Sequence, residues 1–153
     1  MRDVSGVPPA MKARRAFRVA EALTAEALAS ADLPLCRLLL RDEARFPWVV
    51  LVPRRPGTSE TFDLLPGDRQ RLARETEAVG AGLLAVTGAA KLNTAAFGNL
   101  CPQLHVHLIA RSPGDAAWPA SAVGLPREPY SAGVPAFWPA LLRRLALSAR
   151  HSP

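Results

Sequence analysis

Gln103-Leu104-His105-Val106-His107-Leu108 alternates polar and apolar residues without a break. A two-residue period fits a strand with one face in a core and conflicts with a helix. Gln103, His105 and His107 then share one face, and Leu104, Val106 and Leu108 share the other. With a rise of about 3.3 Å per residue, the two imidazoles start roughly 7 Å apart and can converge on one small anion. The predicted strand runs from Gln103 to Ala110, with Pro102 interrupting its approach and Gly98-Asn99 forming a turn before it.

The flanking sequence supplies partners for that strand. Lys91 to Phe97 reads as its hairpin mate. Leu35–Leu40 and Trp48–Val52 form a second predicted hairpin; the latter is short, β-branched and bounded by Pro47 and Pro53. Pro66 opens a long predicted helix at a first-turn position, with Asp68 near its positive end. Its apolar stripe runs through Leu72, Glu75-Thr76, Val79, Leu83 and Leu84, and it stops near Thr87-Gly88. Ala16 to Ser30 carries Phe17, Ala20, Leu23, Ala27 and Leu28 at helical spacing and is predicted as an N-terminal helix. A last helix is expected over Ala140 to Ala149, started by Pro139. Between Arg111 and Pro135 the chain is rich in Pro, Ala, Gly and Ser and reads as an arm. Strands joined by tight turns give an α+β fold: an antiparallel sheet of about five strands with helices on one face.

The 153 residues fit one domain, and 49% hydrophobic content is enough for a core. A flexible terminus over 1–15 and a single domain over 16–153 are expected, with a core near 33–118 and the arm and helix over 119–150. Met11-Lys12-Ala13-Arg14-Arg15 has the charge of a signal-peptide start, but Arg18, Glu21 and Glu26 deny it an apolar stretch. An Arg- and Ala-rich transit peptide is the other reading of that segment. No apolar run is long enough to cross a bilayer, so no membrane role is expected. Cys36 and Cys101 are far apart, which argues against a structural zinc and for free thiols in a reducing, cytoplasmic setting.

The net charge of +6 favours anionic partners. Arg residues are scattered and rings are few, so a nucleic-acid stripe is not indicated and a small phosphorylated ligand fits better. A neutral imidazole is a competent nucleophile towards phosphorus near neutral pH. A second imidazole can pass a proton to the departing atom or hydrogen-bond the phosphoryl oxygens. Two of the three histidines lie on this strand, and the third, His151, is at the chain end. The same pair could be half of a metal site or an incidental sheet face; Asp42, Asp63 and Asp115 have no diagnostic metal spacing, and no residue is assigned to a metal. Trp48 is expected in the core rather than stacked on a base, and Trp118 and Trp138 are expected to pin the arm and the last helix.

The stretch Leu92-Asn93-Thr94-Ala95-Ala96-Phe97-Gly98-Asn99-Leu100-Cys101-Pro102-Gln103-Leu104-His105-Val106-His107-Leu108-Ile109-Ala110-Arg111 resembles the histidine triad (HIT) family, whose signature is three histidines alternating with apolar residues after a Gly turn. Leu38 to Arg55 resembles that family's first hairpin, and Asp63 to Gly88 its helix, so the resemblance spans about residues 33–118. It implies that His105 is the nucleophile that becomes nucleotidylated and that His107 contacts the phosphate and assists the leaving group. It also implies that Asn99 contacts phosphate and that the protein is a homodimer. The first triad histidine is Gln103 here, which can support by hydrogen bonding but cannot take a proton; with Trp118-Pro119 it resembles a variant subgroup. Asn93 and Arg111 are further candidates for substrate binding, Arg111 at a distal phosphate.

The expected activity is hydrolysis of a dinucleoside polyphosphate or nucleoside phosphoramidate through nucleotidyl-His105, with no tightly bound cofactor. Where a divalent cation such as Mg assists, substrate phosphate is its main ligand. The alternatives are a nucleotide sensor with negligible turnover, a His-x-His metal protein and, last, an RNA binder.

Overall fold

The computed structural model describes residues 16–147 and 149–150. The expected flexible terminus 1–15 and His151 lie outside the described residues. In chain order the elements are α1 (Glu21–Thr24), β1 (Ala27–Asp32), β2 (Cys36–Arg41), β3 (Trp48–Pro53), a 3-10 turn (Thr61–Asp63), α2 (Pro66–Thr87), β4 (Lys91–Ala95), β5 (Val106–Arg111), α3 (Phe137–Arg144) and β6 (Ala149–Arg150). The strands form one sheet in the order β4-β5-β3-β2-β1-β6, antiparallel at every pairing. Five full strands with a two-residue sixth thus realise the expected α+β design.

The sheet is covered on both faces, which explains why β3 and β5 are buried along their whole length. On one face α2 and α3 pack through Leu72, Val79, Leu83, Trp138, Leu141 and Leu142 against Leu38, Val49, Leu51 and Leu108. The other face holds Leu39, Trp48, Val50, Val52 and Ile109 under Phe17, Val19 and Leu23 from the N-terminal segment and Ala117, Ala122 and Val123 from the arm. The histidine pair lies on this second face, away from the long helices.

The long helix begins and ends where the sequence places it. Pro66 occupies its first turn, and Gly88 closes it at φ 68°, where a Cβ would be strained. Within its stripe, Glu75 is buried for a polar reason. Its carboxylate accepts the backbone N–H groups of Leu35 and Cys36 at 2.6 and 2.9 Å, fixing the start of β2.

Four local expectations need correction. Residues 16–30 do not form one helix: α1 is four residues long, and Ala27–Asp32 is a strand paired with β2. Alanine's helical propensity is worth a fraction of a kcal/mol per residue and yields to a full ladder that buries Ser30 and Ala31. The histidine strand starts at Val106 rather than Gln103. In its register with β3, where Leu51 faces Val106, Leu104 would face Pro53, which has no N–H to continue the ladder. Leu104 instead donates its N–H to the Thr58 carbonyl at 2.9 Å. Its hairpin mate stops at Ala95, leaving Phe97 in the loop. Finally, α3 covers Phe137–Arg144 rather than 140–149. Pro139 sits in its first turn, where no backbone N–H is needed, and Ala146 at φ 53° breaks the helix before β6.

Candidate active site

Antiparallel pairing places His107 opposite Val50 of β3 and Ala95 of β4, near the end of both ladders. His105 lies just before the strand, and the two rings meet edge to face with centroids 4.9 Å apart. Each residue is 7% exposed, enough for one ring edge to reach a ligand. They line a cavity of about 510 Å³, within the usual range for a small-molecule site. Trp48 shares their side of it. Phe97 to Cys101 form one rim, Ala22, Leu23 and Glu26 another, and Val123 to Leu125 of the arm a third. Gly98 adopts φ 121° at the turn before the pair, and the adjoining Asn99 lines the cavity as expected.

The hydrogen bonds define the tautomer of each ring. His105 Nδ1 lies 2.7 Å from the backbone carbonyl oxygen of Gln103. A carbonyl only accepts, so Nδ1 carries the proton and donates it, and Nε2 keeps a free lone pair. His107 is the reverse: its Nδ1 accepts the indole N–H of Trp48 at 3.1 Å, so its proton is on Nε2. Burial, then the nearby His105 and Arg41, lowers the His107 pKa to about 4.

Arg41 is the Lys or Arg that lines the cavity among the described residues. Its guanidinium stacks over Trp48 at 4.6 Å and pairs with Glu26, while its buried Nε has no hydrogen-bond partner. Glu43, also at the cavity, pairs with Arg45 at 2.8 Å. Burial opposes its charge, yet hydrogen bonds from Arg45 and from the backbone of Glu128 hold its carboxyl below the ordinary value.

The other sequence candidates divide. Gln103 does not turn its side chain to the histidines: Oε1 accepts from Ala20 N and Nε2 donates to the Arg18 carbonyl. Its support to His105 comes from the main chain. Arg111, 1% exposed, is held by Asp115 at 2.7 and 2.9 Å and by Asn93 Oδ1 at 2.9 Å, and lies against Phe46 and Trp118. Asn93 and Arg111 are thus joined to each other, two and four residues along the sheet from His107, and neither lines the cavity. Trp138 is buried in the core, whereas Trp118 is 39% exposed. Cys36 is buried, and Cys101 is half-buried at the cavity rim.

Trp48 is buried as expected, 4% exposed, and also bonds His107, a contact that sequence reasoning did not give it. Its position two residues from Val50, which faces His107, was a usable signal, because residues two apart on a strand share a face. The arm's contribution had no such signal. It is anchored at the β2–β3 turn: Asp42 accepts from Arg127 at 2.6 Å and from Tyr130 N at 2.9 Å, and Ala44 N donates to the Glu128 carbonyl at 2.7 Å.

Among the described residues no group of three or more His, Cys, Asp or Glu side chains could hold a metal ion. No helix among them is long and apolar enough to cross a membrane.

The comparisons with known proteins agree with this fold. The HIT domain family matches residues 23–114, more than half of the chain. Among solved structures, a histidine triad protein from Bradyrhizobium japonicum is 40% identical over 84% of this chain and 98% of its own, with a TM-score of 0.78. A HIT protein from Sinorhizobium meliloti 1021 is 41% identical, covering 77% of this chain and 88% of its own, with a TM-score of 0.74. One from Marinobacter aquaeolei VT8 is 40% identical over 76% and 86%, also with a TM-score of 0.74. No match is found among curated proteins. The chain belongs to the HIT domain family, whose members are generally nucleotide-binding hydrolases and transferases.

Proposed function

We propose that the protein cleaves a nucleoside phosphate derivative, a dinucleoside polyphosphate or a nucleoside phosphoramidate, through a nucleotidyl-His105 intermediate. The observation that carries this reading is the pair of opposite tautomers. His105 offers a lone pair on Nε2 while its Nδ1–H is tied to the Gln103 carbonyl. His107 offers an Nε2–H beside it.

The His105 Nε2 lone pair forms a bond to the α-phosphorus. The bond from phosphorus to the leaving group breaks, and its electron pair departs with that group: as an oxyanion from an anhydride, and as a neutral amine from a phosphoramidate whose nitrogen has first taken a proton from solvent. The resulting cationic ring is stabilised by the Gln103 carbonyl at Nδ1. Water then attacks phosphorus, the P–N bond returns its pair to Nε2, and a water proton is released with the nucleotide. Arg41 supplies positive charge at the cavity, and Asn99 a polar contact at its rim. A divalent cation travelling with the substrate is held by the substrate's own phosphates, because Glu26 and Glu43 are engaged by Arg41 and Arg45. A homodimer belongs to the same reading, with β4 as the open edge of the sheet.

The test is single-turnover incubation with diadenosine polyphosphate and with adenosine phosphoramidate, followed by intact mass, for the native chain and His105→Ala. A transient nucleotidyl adduct that vanishes in His105→Ala is expected. Nucleotide binding by calorimetry with neither adduct nor product overturns the enzyme and leaves a sensor.

A further inference from the structure

What His107 can do for a leaving group is decided by its other ring nitrogen. Nδ1 accepts from Trp48 Nε1, and an indole nitrogen can only donate. A proton on Nδ1 would set two N–H hydrogens against each other. The ring therefore keeps one proton, on Nε2. Trp48 is itself fixed: it is 4% exposed, meets His107 edge-on at 5.5 Å and 76°, and carries the Arg41 guanidinium on its face.

The groups facing His107 favour the same state. His105 and Arg41 oppose a positive charge there, and burial adds to them. Glu26 and Glu43 line the same cavity but are paired with Arg41 and Arg45. Among the described residues no carboxylate is hydrogen-bonded to His107.

A neutral imidazole with its proton on Nε2 is a good hydrogen-bond donor and a very weak acid, because losing that proton leaves an imidazolate. To hand a proton to a departing atom the ring would first have to hold two, and the Trp48 bond stands against that. We infer that Trp48 is a positioning residue holding His107 as a neutral Nε2–H donor, so that the leaving group departs as its anion.

This inference rests on nucleotidyl transfer to His105. The P–O bond breaks, its electron pair goes to the leaving oxygen, and no proton is supplied by His107, whose Nε2–H hydrogen-bonds a phosphoryl oxygen or the departing one. The substrate class is then a nucleoside monophosphate joined to an acidic partner, as in an anhydride with phosphate or another strong acid. Of the two substrates proposed above this favours the anhydride, and the phosphoramidate is the slower one, because its amine must be protonated before it leaves.

Two measurements on the full chain test this. The first is long-range nitrogen–proton NMR of the ligand-free, nitrogen-15-labelled protein between about pH 6 and pH 8, the range where an ordinary histidine titrates. The expected spectrum has His107 Nδ1 unprotonated and Nε2 protonated throughout. A His107 protonated at Nδ1, or cationic near neutrality, overturns the inference.

The second measurement compares turnover of a series of adenosine 5′-aryl phosphates with adenosine phosphoramidate, in the native chain and in Trp48→Phe. Native rates are expected to fall steeply as the departing phenol becomes more basic, with the phosphoramidate slowest. In Trp48→Phe Nδ1 is free to take a second proton, the ring can act as an acid through Nε2, and the phosphoramidate-to-ester rate ratio rises by about tenfold, the scale of one hydrogen bond. Equal native turnover of phosphoramidate and acidic ester overturns the proposal. The tautomer is read without substrate, so the expected spectrum with no nucleotidyl adduct refutes the proposed activity and not the hold of Trp48. An adduct with the wrong tautomer refutes Trp48 alone.

Discussion

The side-chain oxygen of Gln103 accepts the backbone N–H of Ala20 at 2.8 Å, a bond that joins residues 83 apart in the chain. The same amide donates to the Arg18 carbonyl at 2.8 Å. The residue in the first triad position therefore acts as a clasp for the segment that covers the histidine face.

Gln103→Ala removes both bonds but keeps the backbone carbonyl that holds His105. The expected result is a loss of about 1–2 kcal/mol in urea unfolding, the scale of two partly exposed hydrogen bonds, with nucleotidyl adduct formation retained. Adduct formation as deficient as in His105→Ala would mean that the side chain itself takes part in the chemistry.

Arg111 and Asn93 give a contrasting expectation. Arg111 is buried, its hydrogen bond holds the Asp115 carboxyl well below its ordinary value, and Asn93 completes its contacts. Arg111→Ala leaves a carboxylate without its cation and is expected to cost about 3–5 kcal/mol of stability. Asn93→Ala is expected to cost about 1 kcal/mol and to leave KM unchanged. A several-fold rise in KM for Asn93→Ala at unchanged stability would restore its role as a substrate contact.

His107 gives the fold a pH dependence. Its pKa is about 4 in the folded protein and 6.5 without the fold, so the unfolded chain binds the extra proton first as pH falls. Stability from this group is fully present above about pH 6.5 and declines towards pH 4, by about 3 kcal/mol. Asp115 acts in a lower window, because its folded carboxyl titrates below the ordinary 3.8 and its contribution is lost only as pH falls past that value. Urea midpoints at pH 7 and about pH 4.5 should differ more for the native chain than for His107→Gln. Equal differences would show that His107 is not the group responsible.

The sequence was most legible where a local rule and the tertiary structure agree. Pro66 and Gly88 mark the ends of α2 because both termini obey backbone constraints that act within one turn. His105 and His107 converge as their alternation implies, although only His107 lies in the strand. It was misleading where long-range pairing decides. Ala27–Asp32 looks helical by composition and becomes a strand because β2 offers it a ladder. Arg111 looks like a free strand-end cation, yet Asp115, four residues on, folds back onto it. The bond from Trp48 to His107 joins residues 59 apart, and only the register of β3 with β5 brings it about.

The arm's anchorage at the β2–β3 turn separates two tasks. Its fixing contacts involve residues 126–130 with 42–45, while Val123 to Leu125 line the cavity and touch none of those anchors through a hydrogen bond among the described residues. Pocket shape can therefore be rewritten by exchanging a few residues of the arm while the histidine strand stays untouched. The histidine pair stands on the sheet while part of the wall facing it belongs to the arm, so Leu125, 40% exposed at the rim, is the place to vary when a differently shaped pocket is wanted, and Ala122, buried against the sheet, is the place to leave alone.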